Sequence, residues 1–315
     1  MPPAADTTDP WLTLLQFTVI GLTKGSLFAL IALGNTMVYG IVELINFAHG
    51  DLFMLGSFVA FTILGLFNIE GAGNPYADAG LVLLCFAAAI PFCAALNVAV
   101  DRVVYRPLRN APKLAPLVSA IGVSFIFMNV GLFWGGSQDV NFPNLLPNDN
   151  LFGETAKIRF TAKDLMVIGV TVPLMVALTV FVKFTSLGTA MRATAQNPVA
   201  AKLMGINTET VIATTFAIGG ALAGAASVTY GLYVNTISYQ IGFQNGLYAF
   251  TAAVLGGIGN IPGAVLGALI IGLVTSLGSV YVGERWTSAL VFAILIVILV
   301  FRPSGLLGSR TREKV

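Results

Sequence analysis

LYAFTAAVLGGIGNIPGAVLGALIIGLVTSLGSVYV, residues 247–282, carries no charged side chain along its length. One perpendicular membrane crossing takes about 20 apolar residues, so the run is too long for a single span. Its middle, GGIGNIP at 256–262, explains how it is divided. Glycine and Pro262 end a helix, and Asn260 is a lone amide in apolar sequence. The run therefore predicts two short helices joined at a break. The glycines Gly256, Gly257, Gly259 and Gly263 serve either close helix packing or a solute path lined by broken helices. GxxxG spacings at Gly220–Gly224, Gly259–Gly263 and Gly263–Gly267 favour packing for Gly263 and Gly267. Asn260 is expected to cap the break, with solute contact second. Leucine at Gly259 or Gly263 is expected to abolish activity, and alanine to be mild except where φ is positive.

The rest of the chain has the same character. Its 315 residues are 57% hydrophobic and 10% charged, with 34 glycines. A soluble domain is about 25% charged, and a disordered chain is neither so apolar nor so nearly neutral. A polytopic membrane protein remains. Other apolar runs cover 11–39, 52–68, 79–100, 114–134, 164–184, 210–231 and 286–301. The expected fold is all-α, since backbone groups in lipid must be satisfied internally. Eight to ten transmembrane or half-membrane helices are expected, in a single domain over 11–301. The first run, like the seventh, is too long for one upright helix. Net charge of +2 gives no reason to expect nucleic acid. Cys85 and Cys93 lie too far apart along a helix to bridge and read as buried apolar side chains.

Eleven of the sixteen Lys and Arg residues fall in 101–113, 183–209 and 302–315. The positive-inside rule puts these segments in the cytoplasm, including the tail 302–315. It puts 135–163, 69–78 and 232–246 outside, with 1–10 an N-terminal tail.

Catalytic and energy-coupling motifs are scarce. No Gly-Lys pair occurs, which removes a P-loop, and a single histidine removes a multi-histidine metal site. No enzyme activity is expected. Ionisable residues within apolar sequence mark ion or solute paths. Here they are few: Lys24, Glu43, His49 and Asp51. Four polar residues, Glu43, Asn46, His49 and Asp51, cluster in GIVELINFAHGDLFMLG at 40–56. Asp51 is expected to cap or open the span at 52–68, with Asn46 and His49 satisfying backbone groups. The alternative is a broken helix end facing the solute path near its inner half.

TSLGTAMRATAQNPVAAKLMGINTE, 185–209, lies in a basic connection yet reads as helix. Asn197-Pro198 is an N-cap and N1 pair, and Gly205 is a stop. Leu203 and Met204 are left exposed, which suits docking into a partner's groove or lying on the bilayer interface.

Three stretches together, NFAHGDLFMLGSF at 46–58, LGTAMRATAQNPVAAKLMGIN at 187–207, and TAAVLGGIGNIPGAVLGALIIGLV at 251–274 followed by FRPSGLLG at 301–308, resemble the permeases of branched-chain amino-acid ABC importers of the LivH type. The resemblance runs from about residue 11 to 308. It implies the type II ABC importer membrane domain and a bacterial or archaeal plasma (inner) membrane. It also implies a second related permease, two cytoplasmic ATPases that bind the ATP, and an external substrate-binding protein. No cofactor and no catalytic residue would belong to this chain. Arg192, Gln196, Asn197, Pro198, Leu203, Met204 and Gly205 would form the ATPase coupling segment within 185–209. Asn46, His49, Asp51, Gly256, Gly257, Gly259, Asn260 and Gly263 remain candidates for the path or its helix breaks. Permeases for urea and short-chain amides are closely similar, so they stay open as alternatives. A stand-alone secondary transporter and a channel are the alternatives from other classes.

Overall fold

A computed structural model describes residues 9–42, 44, 46–67, 75–109, 111–112, 114–153 and 157–308. Twelve α-helices are seen among them: α1 (Pro10–Val42), α2 (Ala48–Leu66), α3 (Pro75–Val100), α4 (Arg106–Leu108), α5 (Leu114–Gly135), α6 (Ala162–Phe184), α7 (Ser186–Gln196), α8 (Pro198–Leu203), α9 (Thr208–Val234), α10 (Ile241–Gly256), α11 (Ile261–Gly278) and α12 (Glu284–Phe301). Seven helical stretches are long and apolar enough to cross a membrane. The last, Ile261–Phe301, folds back on itself. A π-helical turn at Ser279–Gly283 ends with Gly283 at φ +104°, and Gly278 lies beside Leu290 of α12. That stretch is therefore two spans, and the sixteen-residue α10 adds a shorter helix of about 24 Å.

The helices divide into a centre and a shell. The spanning windows of α1, α2 and α9 are 67%, 67% and 72% buried, against 17% for α3 and for α6. Shell helices turn large apolar side chains outward, as Phe125, Ile126 and Phe133 of α5 do. That pattern suits lipid or another apolar helix, and would be costly in water.

Glycine sets how closely the centre packs. α1 runs antiparallel to α11, with Gly21 against Leu273, Gly25 against Leu269 and Gly40 against Gly259. A Cβ at Gly25 would sit 2.8 Å from the Leu269 Cα. On α9, Gly220 and Gly224 meet α3 backbone at Cys93 and at Ala89–Ile90, which is small-xxx-small packing. Both cysteines are free and buried in this packing.

The first apolar run, too long for one upright helix, is neither broken nor doubled: α1 is one helix of 33 residues, about 50 Å long at 1.5 Å per residue, so it must tilt or project beyond a core of about 30 Å. The basic segment 101–113 is helical as far as Leu108, continuing α3 through a π-helical turn at Asp101–Tyr105. And 232–246 is not all loop, since α9 reaches Val234 and α10 starts at Ile241.

The long connection 135–163 is pinned rather than loose. Val140 and Asn141 pair with Ile237 and Thr236 in a two-stranded antiparallel sheet. Asn235, left-handed at φ 58°, caps α9, donates from its side chain to the Phe142 carbonyl (3.3 Å) and accepts from Lys163. At the other end of this connection, the Thr161 N–H and hydroxyl donate to Asp164 at 2.9 and 2.7 Å, a capping-box arrangement that starts α6.

Candidate functional site

The segment between α6 and α9 is two helices, where the sequence pointed to one. Thr185 opens α7 by accepting from the Gly188 N–H at 3.0 Å. Asn197 then ends α7 and opens α8: its Oδ1 accepts from the N–H groups of Val199 and Ala200, both at 3.0 Å. Gly205, at φ +83°, closes α8 as a Schellman motif. The Ile206 N–H donates to the Ala201 carbonyl and the Gly205 N–H to the Lys202 carbonyl, both at 3.0 Å, as such caps require. These local bonds hold Leu203 and Met204 84% and 83% exposed. Arg192, Gln196 and Pro198 are exposed on the same segment.

Next to it lies a charged cluster that the sequence reading did not single out. Glu209, at the start of α9, reaches Arg106 (3.0 Å) and Arg109 (2.7 Å), and Arg109 also reaches the buried Asp101 (2.7 Å). The end of the α3 extension is thus tied to the α8–α9 corner. The Tyr105 hydroxyl donates to Asn46 Oδ1 (2.9 Å), Asn46 donates to Asn97 (3.3 Å), and Asn97 donates to the Phe216 carbonyl (2.7 Å).

Asn46 therefore satisfies side chains on α3 and its extension, not the backbone of its own break. His49 departs from expectation too. It is fully buried, and neither ring nitrogen has a hydrogen-bond partner among the described residues. Its ring fits because Gly34 has no side chain: a Cβ there would sit 2.5 Å from His49 Nε2. Asp51 falls in the first turn of α2 but is not its N-cap. The helix starts at Ala48, and Phe47 in the cap position makes no side-chain cap bond. Asp51 instead accepts from Ser124 of α5, while its second oxygen has no partner. Gly50 and Gly242 let α2 and α10 meet backbone to backbone at this point. Ser124 lies halfway along α5, so α2 begins within the bundle rather than at its end. Glu43 lies outside the described residues.

The break after α10 is a packed junction. Gly257 and Gly259 have φ of +107° and +84°, positions that favour glycine. Asn260 Oδ1 accepts from the Gly263 N–H (3.1 Å), and its amide donates to the Leu307 carbonyl (2.7 Å). The Leu306 and Leu307 N–H groups donate to the Leu255 and Gly256 carbonyls at 2.8 and 3.0 Å, so SGLLG closes over the break. Gly256 and Gly263 abut backbone to backbone, and Gly267 abuts Ala252. Alanine is therefore not mild at these three sites, because a methyl would meet a backbone carbonyl at each. Gly256, Gly257, Gly259, Asn260 and Gly263 line neither of the two cavities that border the first half of α10.

Those cavities lie along the first half of α10. One, of about 430 Å³, is bounded by Met128, Gln240, Phe243, Leu247 and Phe292. The other, of about 350 Å³, is bounded by Lys24, Leu27, Phe28, Tyr230, Tyr233, Asn245, Ser279, Glu284 and Thr287. Gln244, Tyr248 and Ser288 border both. The Tyr248 and Ser288 hydroxyls are 2.7 Å apart. Polar residues within apolar runs, such as Asn97, Ser124 and Asn245, were the sequence signal for these internal contacts.

A bundle of membrane-length helices, with a helix starting inside it, a shorter helix and cavities beside that shorter helix, defines an integral membrane protein of the solute-permease class. Residues 17–299 match the family described as branched-chain amino acid transport system / permease component, and the chain belongs to that family. It is 43% identical over 303 residues to the high-affinity branched-chain amino acid transport system permease protein BraD of Pseudomonas aeruginosa, covering 96% of this chain and 98% of that one. It is 42% identical over 312 residues to the corresponding LivH of Escherichia coli strain K12, covering 98% and 100%. To the probable branched-chain amino acid transport permease protein LivH of Methanocaldococcus jannaschii it is 29% identical, covering 90% and 89%. No solved structure matches the chain.

Proposed function

We propose that the chain is the membrane-spanning permease subunit of an ATP-driven importer of branched-chain amino acids in the plasma (inner) membrane. It forms half of the translocation path, and a second related permease forms the other half. Of the importer's two ATPase subunits, one docks on α7–α8 of this chain, and an external binding protein delivers substrate to the opposite end. The chain itself binds no ATP and holds no catalytic residue. The observation that carries the coupling role is the pair Leu203 and Met204, held outward by the Asn197 cap and the Gly205 Schellman motif.

Sidedness rests on the basic segments. The α3 extension and the start of α9 meet through Glu209. Met191 of α7 packs with Met37 near the end of α1. Gly40 abuts Gly259, beside the C-terminal segment. These basic stretches gather at one end, which we assign to the cytoplasm by the positive-inside rule. The C-terminal tail and 185–209 are then cytoplasmic, and 135–163 is external.

The test is Leu203→Glu together with Met204→Glu in the reconstituted importer. The expected result is an intact permease pair that no longer pulls down the ATPases and no longer imports leucine. Uptake at the unsubstituted rate rejects the coupling role. Uptake of urea but not leucine by the unsubstituted complex rejects the substrate.

A further inference from the structure

The cavity of about 350 Å³ beside α1, α11 and α12 is at the small end of the roughly 300–1,000 Å³ typical of small-ligand sites. Its lining joins a part-buried lysine to an exposed carboxylate. Lys24 stands on α1 and Glu284 at the first position of α12, so the one cavity carries a cation on one wall and a carboxylate on another. Among the described residues neither belongs to an ion pair, the three pairs all lying at the α3–α9 corner. A lysine in the middle of a spanning helix costs roughly 2.5–3.5 kcal/mol, and here no neighbouring carboxylate closes on it.

We propose that this cavity is a station on the path for a zwitterionic α-amino acid. The carboxylate faces Lys24, the ammonium faces Glu284, and the aliphatic side chain lies on Leu27 and Phe28. The hydroxyls fit the polarity. Ser279 donates to the Ser276 carbonyl at 2.7 Å and Thr287 to the Gly283 carbonyl at 3.5 Å. Their oxygens are thereby left to accept, which is what an ammonium group requires. A neutral solute such as urea offers no charge to either the part-buried Lys24 or the exposed Glu284. The site lies at the end remote from Leu203 and Met204, since Ser276 of α11 bonds the Phe17 carbonyl in the first turns of α1. Substrate would reach it before the second cavity, which shares the Gln244, Tyr248 and Ser288 wall.

This inference rests on the importer reading, and its test separates the two. The complete importer, with both permeases, both ATPases and the binding protein, is reconstituted in vesicles, and leucine uptake and ATP hydrolysis are measured together. Lys24→Met and Glu284→Gln should each cut uptake about tenfold or more, the scale of one lost charge-assisted hydrogen bond, while ATP hydrolysis persists. Lys24→Arg should keep most of the uptake. Uptake by Lys24→Met and Glu284→Gln at the unsubstituted rate overturns the proposal. A second measurement leaves both charges in place. Ser279→Cys in the assembled importer is labelled with a small thiol reagent, the two native cysteines being buried. Leucine should slow the labelling and urea at the same concentration should not. Equal effects of the two solutes overturn the proposal, even if the charge variants fail to assemble. Failure of the unsubstituted complex to import any branched-chain amino acid rejects the importer reading instead, and the labelling comparison still judges the cavity.

Discussion

Adding a single methyl group at Gly267 should destabilise the α10–α11 hairpin, although alanine is the better helix former. Gly267 lies in α11, and a Cβ there would collide with the Ala252 carbonyl and sit 2.9 Å from the Gly256 N. Both obstacles are backbone of α10, so no side chain can swing aside. Relief requires the two helices to part along a contact that Gly256 and Gly263 also hold closed. Helix propensity favours alanine by about 0.8–1.0 kcal/mol. Overpacking of a close contact costs typically 1–3 kcal/mol, and a clash with backbone belongs at the upper end. The net is a loss of about 1–2 kcal/mol. Gly169 in α6 is the control: nothing lies within 4 Å of its Cβ position, so Gly169→Ala should be neutral or gain up to about 1 kcal/mol. Both variants are purified in detergent and melted beside the unsubstituted protein, following the monodisperse fraction. At about 2–4 °C per kcal/mol, Gly267→Ala should melt several degrees below Gly169→Ala. Equal melting of the two refutes the view that this glycine is kept for close approach.

Three further outcomes follow from other contacts. Gly205→Ala puts a Cβ on a residue at φ +83°, a strain of about 1–2 kcal/mol. Expression should hold while stimulation of ATP hydrolysis by loaded binding protein falls, and full stimulation counts against the cap as a determinant of α8. Ser124→Ala leaves the buried Asp51 carboxyl without its hydrogen-bond partner, at about 1–3 kcal/mol. Adding Asp51→Asn should recover part of that loss in a melting cycle, whereas strictly additive losses would show the two side chains to be independent. Asp149→Cys and Lys202→Cys, tested singly, should react with a membrane-impermeant thiol reagent from outside and from inside respectively; the opposite pattern reverses the orientation, and labelling of both from one side refutes the topology.

The sequence was most legible where a feature is settled within one turn of chain. Asn197-Pro198 with Gly205 marks the ends of α8 because the cap bonds span two to five residues. GGIGNIP marks the α10–α11 break for the same reason: Asn260 caps a residue three positions on. The start of α7 is not marked because Gly188, unfavourable in a helix interior, follows so soon after its N-cap, Thr185. Asp51 shows where local reading stops: the first turn was legible, the partner was not. Its position just after glycine and before an apolar run reads as a cap, and a carboxylate there would be adequately served by its own backbone. The chain offers it Ser124 instead, 73 residues away, because α2 starts inside the bundle where α5 crosses it. Asn46 follows the same rule, with partners 51 and 59 residues distant. Lys24 and Glu284 are farther apart still, and each alone reads as an isolated charge near a helix. Only the antiparallel packing of α1 on α11 and the reversal at Gly283 place them on one cavity. Local caps constrain a handful of dihedral angles and can be read from residue order. A solute path is built from groups on helices distant in sequence, so its chemistry becomes visible only when the glycine contacts that fix the helix registers are known.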